Sequence, residues 1–180
     1  VSYSTLASKS SGDPISVTDW STLRDDLTDH EARIQANTFS GCILERTSVQ
    51  SIPDATGTGV SLTVETLDEG GWFPGSGSTI TVPSAAIPAG YTNIVVRIEV
   101  NVEWDDNPTG RRTVNINKNA ALLGPNFQMD APSISLGQSN TRTYWFEAGD
   151  TINVQVFQDS GGALDLNSAL VTIARIGYFN

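Results

Sequence analysis

At 180 residues the chain fits one domain of ordinary size with a short appendage. Its 38% apolar and 17% charged residues, punctuated by 16 Gly and 8 Pro, exclude a disordered chain and a long coiled coil. Twenty acidic against ten basic residues give a formal charge of −10 with no Lys/Arg-rich run, which argues against nucleic acid or an anionic membrane as partner.

The first 12 residues are polar and rich in Ser and read as an extended arm, without the basic-then-apolar layout of a secretory signal. Asp13-Pro14 opens a turn, and Ser16 or Thr18 can cap a helix that carries Asp19 in its first turn, near the positive end of the macrodipole. From about Thr18 to Ala36 the positions Trp20, Leu23, Leu27, His30 and Ile34 follow one another at steps of 3, 4, 3 and 4, a heptad seam with His30 in one slot. Arg24, Asp25, Asp26, Asp29, Glu31 and Arg33 lie between them and suit a solvated face. A helix of this length is marginal alone. Its stripe needs a surface, either the chain's own core or a short parallel neck shared between subunits.

From Gly41 onward the period becomes two. Ile94, Val96, Ile98, Val100, Val102 and Trp104 alternate with Arg97, Glu99, Asn101 and Glu103, which makes one face core and the other wet. Asp105 to Gly110 is a turn dense in Asp, Asn, Pro and Gly, and a strand follows from Arg111 to about Asn119 with Val114 and Ile116 inward. Further strands are expected over Cys42 to Ser48, Val60 to Thr66, Ser78 to Val82, Thr141 to Glu147, Thr151 to Gln158 and Ala169 to Phe179. With no helical pattern between them to serve as a crossover, these strands predict an all-β sandwich or barrel. No apolar stretch approaches the roughly 20 residues that span a bilayer.

Phe146-Glu147-Ala148-Gly149-Asp150, followed by the alternating run Thr151 to Val156, resembles the closing half of the trimeric jelly rolls typified by the complement globular head and tumour necrosis factor. Thr79 to Pro83, then Ala89-Gly90-Tyr91 before a long strand, is similar to the middle section of that family, and the likeness extends over about Val49 to Tyr178. Ala7 to Trp20 resembles the start of small phage tail-fibre or head-fibre proteins, in which a short helix follows. The resemblance implies a homotrimer whose inner sheets meet around a threefold axis, and it favours the neck reading of Trp20, Leu23, Leu27, His30 and Ile34. Trp72, Phe73, Tyr144, Trp145, Tyr178 and Phe179 become interface candidates, with Trp145 on the face opposite Tyr144 and Phe146. The expected layout is an arm and helix over 1–40 for attachment and a jelly-roll head over 41–180.

Catalytic equipment is sparse. Cys42 has no base nearby in sequence, since the lone His30 lies on another element, and a nucleophile needs a base in hydrogen-bond reach. No carboxylate pair is singled out by spacing. The acidic stretches Asp105-Asp106-Asn107 and Asp159 to Asp165 lack the register of a calcium loop, so no cofactor is expected, with calcium the one ion they suit. Gly57, Gly59, Gly70, Gly71, Gly75 and Gly77 do not connect a strand to a helix, as a phosphate cradle requires. The expectation is a non-enzymatic protein of the virion surface, a trimeric capsid decoration held by its arm and helix to phage capsid or tail proteins. The alternative is a tail fibre or receptor-binding head whose Trp72, Trp104, Asp105, Asp106 and Asn107 meet a host-surface glycan or receptor.

Overall fold

Residues 16–37, 39–125, 127–130 and 136–180 are described by a computed structural model. The polar arm, residues 1–12, lies outside the described residues. Two compact units divide the chain, Val1–Thr38 and Phe39–Asn180.

In the first unit, helix α1 (Val17–Asn37) starts at a reciprocal cap. Ser16 Oγ accepts from the Asp19 N–H at 3.2 Å, and Asp19 Oδ2 accepts from the Ser16 N–H at 2.6 Å. Two backbone donors are satisfied together, and the carboxylate lies at the positive end of the helix. Ser16 rather than Thr18 is therefore the cap. Thr18 is already helical, and its carbonyl accepts from the Ser21 and Thr22 hydroxyls. Trp20, Leu23, Leu27 and Ile34 keep 40 to 60% of their surface exposed, and His30 is exposed as well.

The second unit contains β1 (Gly41–Arg46), β2 (Gln50–Ile52), β3 (Thr58–Gly59), β4 (Val64–Glu69), β5 (Thr79–Thr81), β6 (Asn93–Trp104), β7 (Arg111–Lys118), β8 (Ala121–Leu122), β9 (Phe127–Asp130), β10 (Leu136–Phe146), β11 (Thr151–Gln158) and β12 (Leu164–Phe179). They form two antiparallel sheets. The first runs β10-β6-β12-β1-β4, with β2 also on β12; the second runs β3-β11-β7-β8, with β5 on β11 and β9 on β7. The inward set of β6, Ile94 to Trp104, meets Val114 and Ile116 of β7 and Ile152, Val154 and Val156 of β11 in one buried core. Period-two patterning thus supplies one apolar face per sheet, and the two faces close on each other as a jelly roll.

Boundaries depart from expectation where the ladder is irregular. β12 begins at Leu164, ahead of the expected Ala169, because a bulge between Leu166 and Ser168 interrupts the alternation. β10 starts at Leu136 rather than Thr141 and pairs with β6 along its whole length. The expected strand from Val60 fails in its first half. Val60 and Leu62 are core plugs, with Leu62 bridged only to Gly77, and pairing with β1 begins at Val64.

Candidate functional site

Cys42 lies fully buried on β1, and burial first, then the nearby Asp68 and Glu65 carboxylates, push its thiol up to about 12. It stays protonated and is no nucleophile. Among the described residues no three His, Cys, Asp or Glu side chains gather as a metal centre.

At the far end of β6 the turn Asp105 to Gly110 is built over a buried arginine. Arg112, 1% exposed, donates to the carbonyls of Thr109 at 3.1 Å, Arg111 at 3.0 Å and Asn107 at 3.2 Å. Burial holds its guanidinium below the usual arginine range, against the opposing pull of Asp159. Below it lies the Trp104 ring, 5.8 Å from the guanidinium carbon, whose indole N–H donates to Gln138 at 3.3 Å. Asp159 braces the same turn by accepting from the Arg111 guanidinium at 2.8 Å. Gly110 has φ +77°, and a Cβ there would stand 2.2 Å from the Asp159 carbonyl oxygen, so the crossing admits glycine alone.

This geometry corrects two of the sequence-derived contact residues. Trp104 is fully buried and Trp72 is 1% exposed, so neither indole offers a ring face to a sugar. Trp104 obeys the alternation of its strand. Trp72 is drawn inward because its N–H groups are claimed by protein acceptors, the indole by Ser40 Oγ at 3.2 Å and the backbone by Asp68 at 2.8 Å. Phe73, also a proposed interface aromatic, is buried with it. Asp105 and Asp106 are exposed and Asn107 half-buried, on the turn that Arg112 holds.

The other aromatics close one end of the sandwich. Alternation puts Trp145 across the strand from Tyr144, yet the two rings stack at 5.8 Å, because β10 is an edge strand and leaves the indole room to fold round. Lys118 lies 3.6 Å from the centroid of Trp145, donates to its carbonyl at 3.1 Å and pairs with Asp150 at 2.8 Å. Burial pushes the Asp150 carboxyl up, but bonds from the Glu147 N–H, Lys118 and Asn119 outweigh it and hold the group below the ordinary carboxylate range. Tyr144 and Trp145 remain about 40% exposed, Phe179 is 41% exposed, and Tyr178 packs on Tyr91 at 4.2 Å.

The two outer faces differ in chemistry. On the first sheet, Leu170, Thr172 and Ala174 of the central β12 face outward, with Glu45, Ile43 and Gly41 of β1 opposite them on one side and Asn101, Glu99 and Arg97 of β6 on the other. This face mixes apolar Leu170, Ile43 and Ala174 with Thr172, carries charge on both flanks at Glu45, Glu99 and Arg97, and dips beside Leu170 into a depression of about 540 Å³. On the second sheet, Asn115 and Asn117 of β7 lie directly opposite Gln155 and Asn153 of β11. These four carboxamides floor a depression of about 480 Å³, walled by Gly59 of β3 and by Ala120 and Leu122. Sequence reasoning missed them, although Val114-Asn115-Ile116-Asn117 and Asn153-Val154-Gln155-Val156 both carry the amides at alternate positions. The missing information was that the two strands are neighbours.

No protein-family model matches the sequence, and no curated protein matches it. Solved structures do. The globular domain of zebrafish complement 1qA superposes with a TM-score of 0.54 at 13% identity, covering 78% of this chain and 99% of that one. PRD1 vertex protein P5 superposes at 0.55 with 16% identity over 79% of this chain and 74% of that one. Murine APRIL does so at 0.52 with 14% identity over 76% and 100%. At such identities the likeness shows the fold, a jelly roll of the complement-head and tumour-necrosis-factor type.

Proposed function

We propose that the chain is a non-enzymatic structural protein of a phage virion. It assembles as a homotrimer that projects from the particle as a capsid decoration, with residues 1–40 as attachment and neck and 41–180 as the head. The observation that carries this reading is the stripe of α1, in which a capped helix with heptad spacing leaves Trp20, Leu23, Leu27 and Ile34 exposed. Three parallel copies bury that stripe at about 25 cal/mol per Å² of apolar surface. His30 then meets its two copies on the axis. The outer face of the first sheet, with Leu170, Thr172 and Ala174 along β12, is the surface on which three heads meet, as the family resemblance implies. Fold likeness to PRD1 vertex protein P5 supports the virion setting.

Assembly multiplies each weak docking contact by three, so avidity holds a small subunit on a symmetric particle. A trimer carries a formal charge of −30, which keeps a crowded array of projections apart.

Sedimentation equilibrium tests the reading. The full chain is expected at three times the monomer mass, and Leu27→Asp is expected to shift it towards monomer while the head's melting temperature holds. A monomeric full chain overturns the assembly. Immunolabelling of purified particles tests the setting: label on the capsid supports decoration, and absence from particles refutes it. Label at the tail tip moves the assignment to the second reading, a host-recognition head, which the amide-floored depression of the second sheet favours.

A further inference from the structure

We propose that the depression on the outer face of the second sheet is a binding site for a neutral saccharide. It is built within one protomer and depends on neither the neck nor the virion setting. Asn115, Asn117, Asn153 and Gln155 present four carboxamides on two adjacent strands in matched register. Neighbours across the ladder stand about 5 Å apart and neighbours along a strand about 7 Å apart, the dimensions of a single pyranose with its ring hydroxyls. Each carboxamide offers both a donor and an acceptor. A sugar hydroxyl also does both, so amide and hydroxyl satisfy each other in pairs.

The protein leaves this capacity largely unused. Among the described residues the side chains of Asn115, Asn117 and Gln155 have no hydrogen-bond partner, and Asn115 Oδ1 is buried without one. A buried acceptor left unpaired is costly, and because Asn115 Oδ1 is out of reach of solvent, the Asn115 amide must turn outward before a hydroxyl relieves that cost. Asn153 is the exception, its Nδ2 fixed by Ser78 O and Thr79 Oγ1, both at 2.9 Å, which sets the orientation of its amide. Leu122 and Ala120 supply an apolar wall for the C–H face of a sugar ring.

The same residues exclude other ligand classes. No charged side chain lines the depression of a chain whose formal charge is −10, so a phosphate or carboxylate finds no cation and a metal ion no carboxylate. An extended peptide cannot add as a strand, because β7 and β11 are each paired on both sides.

The test is a printed array of neutral oligosaccharides of glucose, galactose, mannose and N-acetylhexosamines, with sialylated glycans alongside, probed with the full chain. Binding of neutral glycans is expected, about tenfold weaker for Asn117→Ala/Gln155→Ala and unchanged for Asp105→Asn/Asp106→Asn. The side-chain NH₂ resonances of Asn115, Asn117 and Gln155 in the unmodified chain are expected to shift when the best array sugar is titrated in. That readout decides the matter if the double variant melts early. An empty array, binding confined to sialylated glycans, loss in the Asp105/Asp106 variant, or amide resonances that stay in place would each overturn the site.

Discussion

In the head, Ile94, Val96, Ile98 and Val100 are fully buried, whereas Trp20, Leu23, Leu27 and Ile34 of α1 keep at least 40% of their surface in water. Both segments are patterned, one at period two without a break and the other on a heptad with His30 in one slot. The difference lies in where the complementary face comes from. β6 pairs with β10 and β12 and meets the second sheet within the same chain. On the trimer proposal the stripe of α1 meets copies of itself. Regular patterning therefore does not measure self-sufficiency; a pattern becomes a core only when its partner face exists.

The largest way to break this contrast is Trp104→Ala. It removes a fully buried indole together with its bond to Gln138 and its contact with Arg112. A loss of about 3–5 kcal/mol is expected in urea unfolding of the head, with the helical signal of α1 retained at low denaturant. Equal loss of both signals would show that the two units fold as one.

Acid provides a milder probe. Because Asp150 titrates below its ordinary 3.8 in the folded head, its stabilisation is present above that value and fades as pH falls through the lower folded pKa. Near-UV circular dichroism should show the head's melting temperature dropping over that window, and Asp150→Asn should flatten this part of the profile while lowering stability at neutral pH. An unchanged profile would remove the carboxylate from the closure of the sandwich end.

Ser16→Ala is the smallest of the three. It deletes the acceptor for the Asp19 N–H and is expected to cost about 1 kcal/mol of helix stability, read as fraying in far-UV circular dichroism with the head's melting point unmoved. A drop in the latter would mean that the helix contributes to the head.

Much of the architecture was legible, and unevenly so. Ile94 to Trp104 and Thr151 to Val156 announce themselves because every second side chain is apolar. β2, β3 and β8 escape notice because their two or three residues show no apolar alternation, and β9 because Phe127 and Met129 alternate over only four residues, exposed throughout. The equally short β5 is legible from Ile80 and Val82 at alternate positions. Trp104 admitted two readings, core by parity and contact by its position before an acidic turn, and parity prevailed because a buried arginine occupies the turn's underside. Trp72 sits beside two glycines and looks like loop surface, but Ser40 and Asp68, distant or polar in sequence, draw it in. The amide floor was hidden for a different reason. Alternation tells which residues share a strand face, and only strand order tells which strands share a sheet.

Finally, Gly41 at the start of the head pairs with Ala174, and β12 runs on past it until Phe179 stands opposite Asn93. A Cβ on Gly41 would lie 2.0 Å from the Ile173 carbonyl oxygen, so the two ends of the head are joined as tightly as backbone allows. Entry and exit are at one pole, and the twelve residues of β6 carry the chain roughly 36 Å to the other. For engineering, the head is a plug with both leads on the same side. Whatever continues the chain beyond Phe179 leaves beside the strand that enters, while the turn that Arg112 holds through Asn107 and Thr109 stands at the opposite pole, away from both leads.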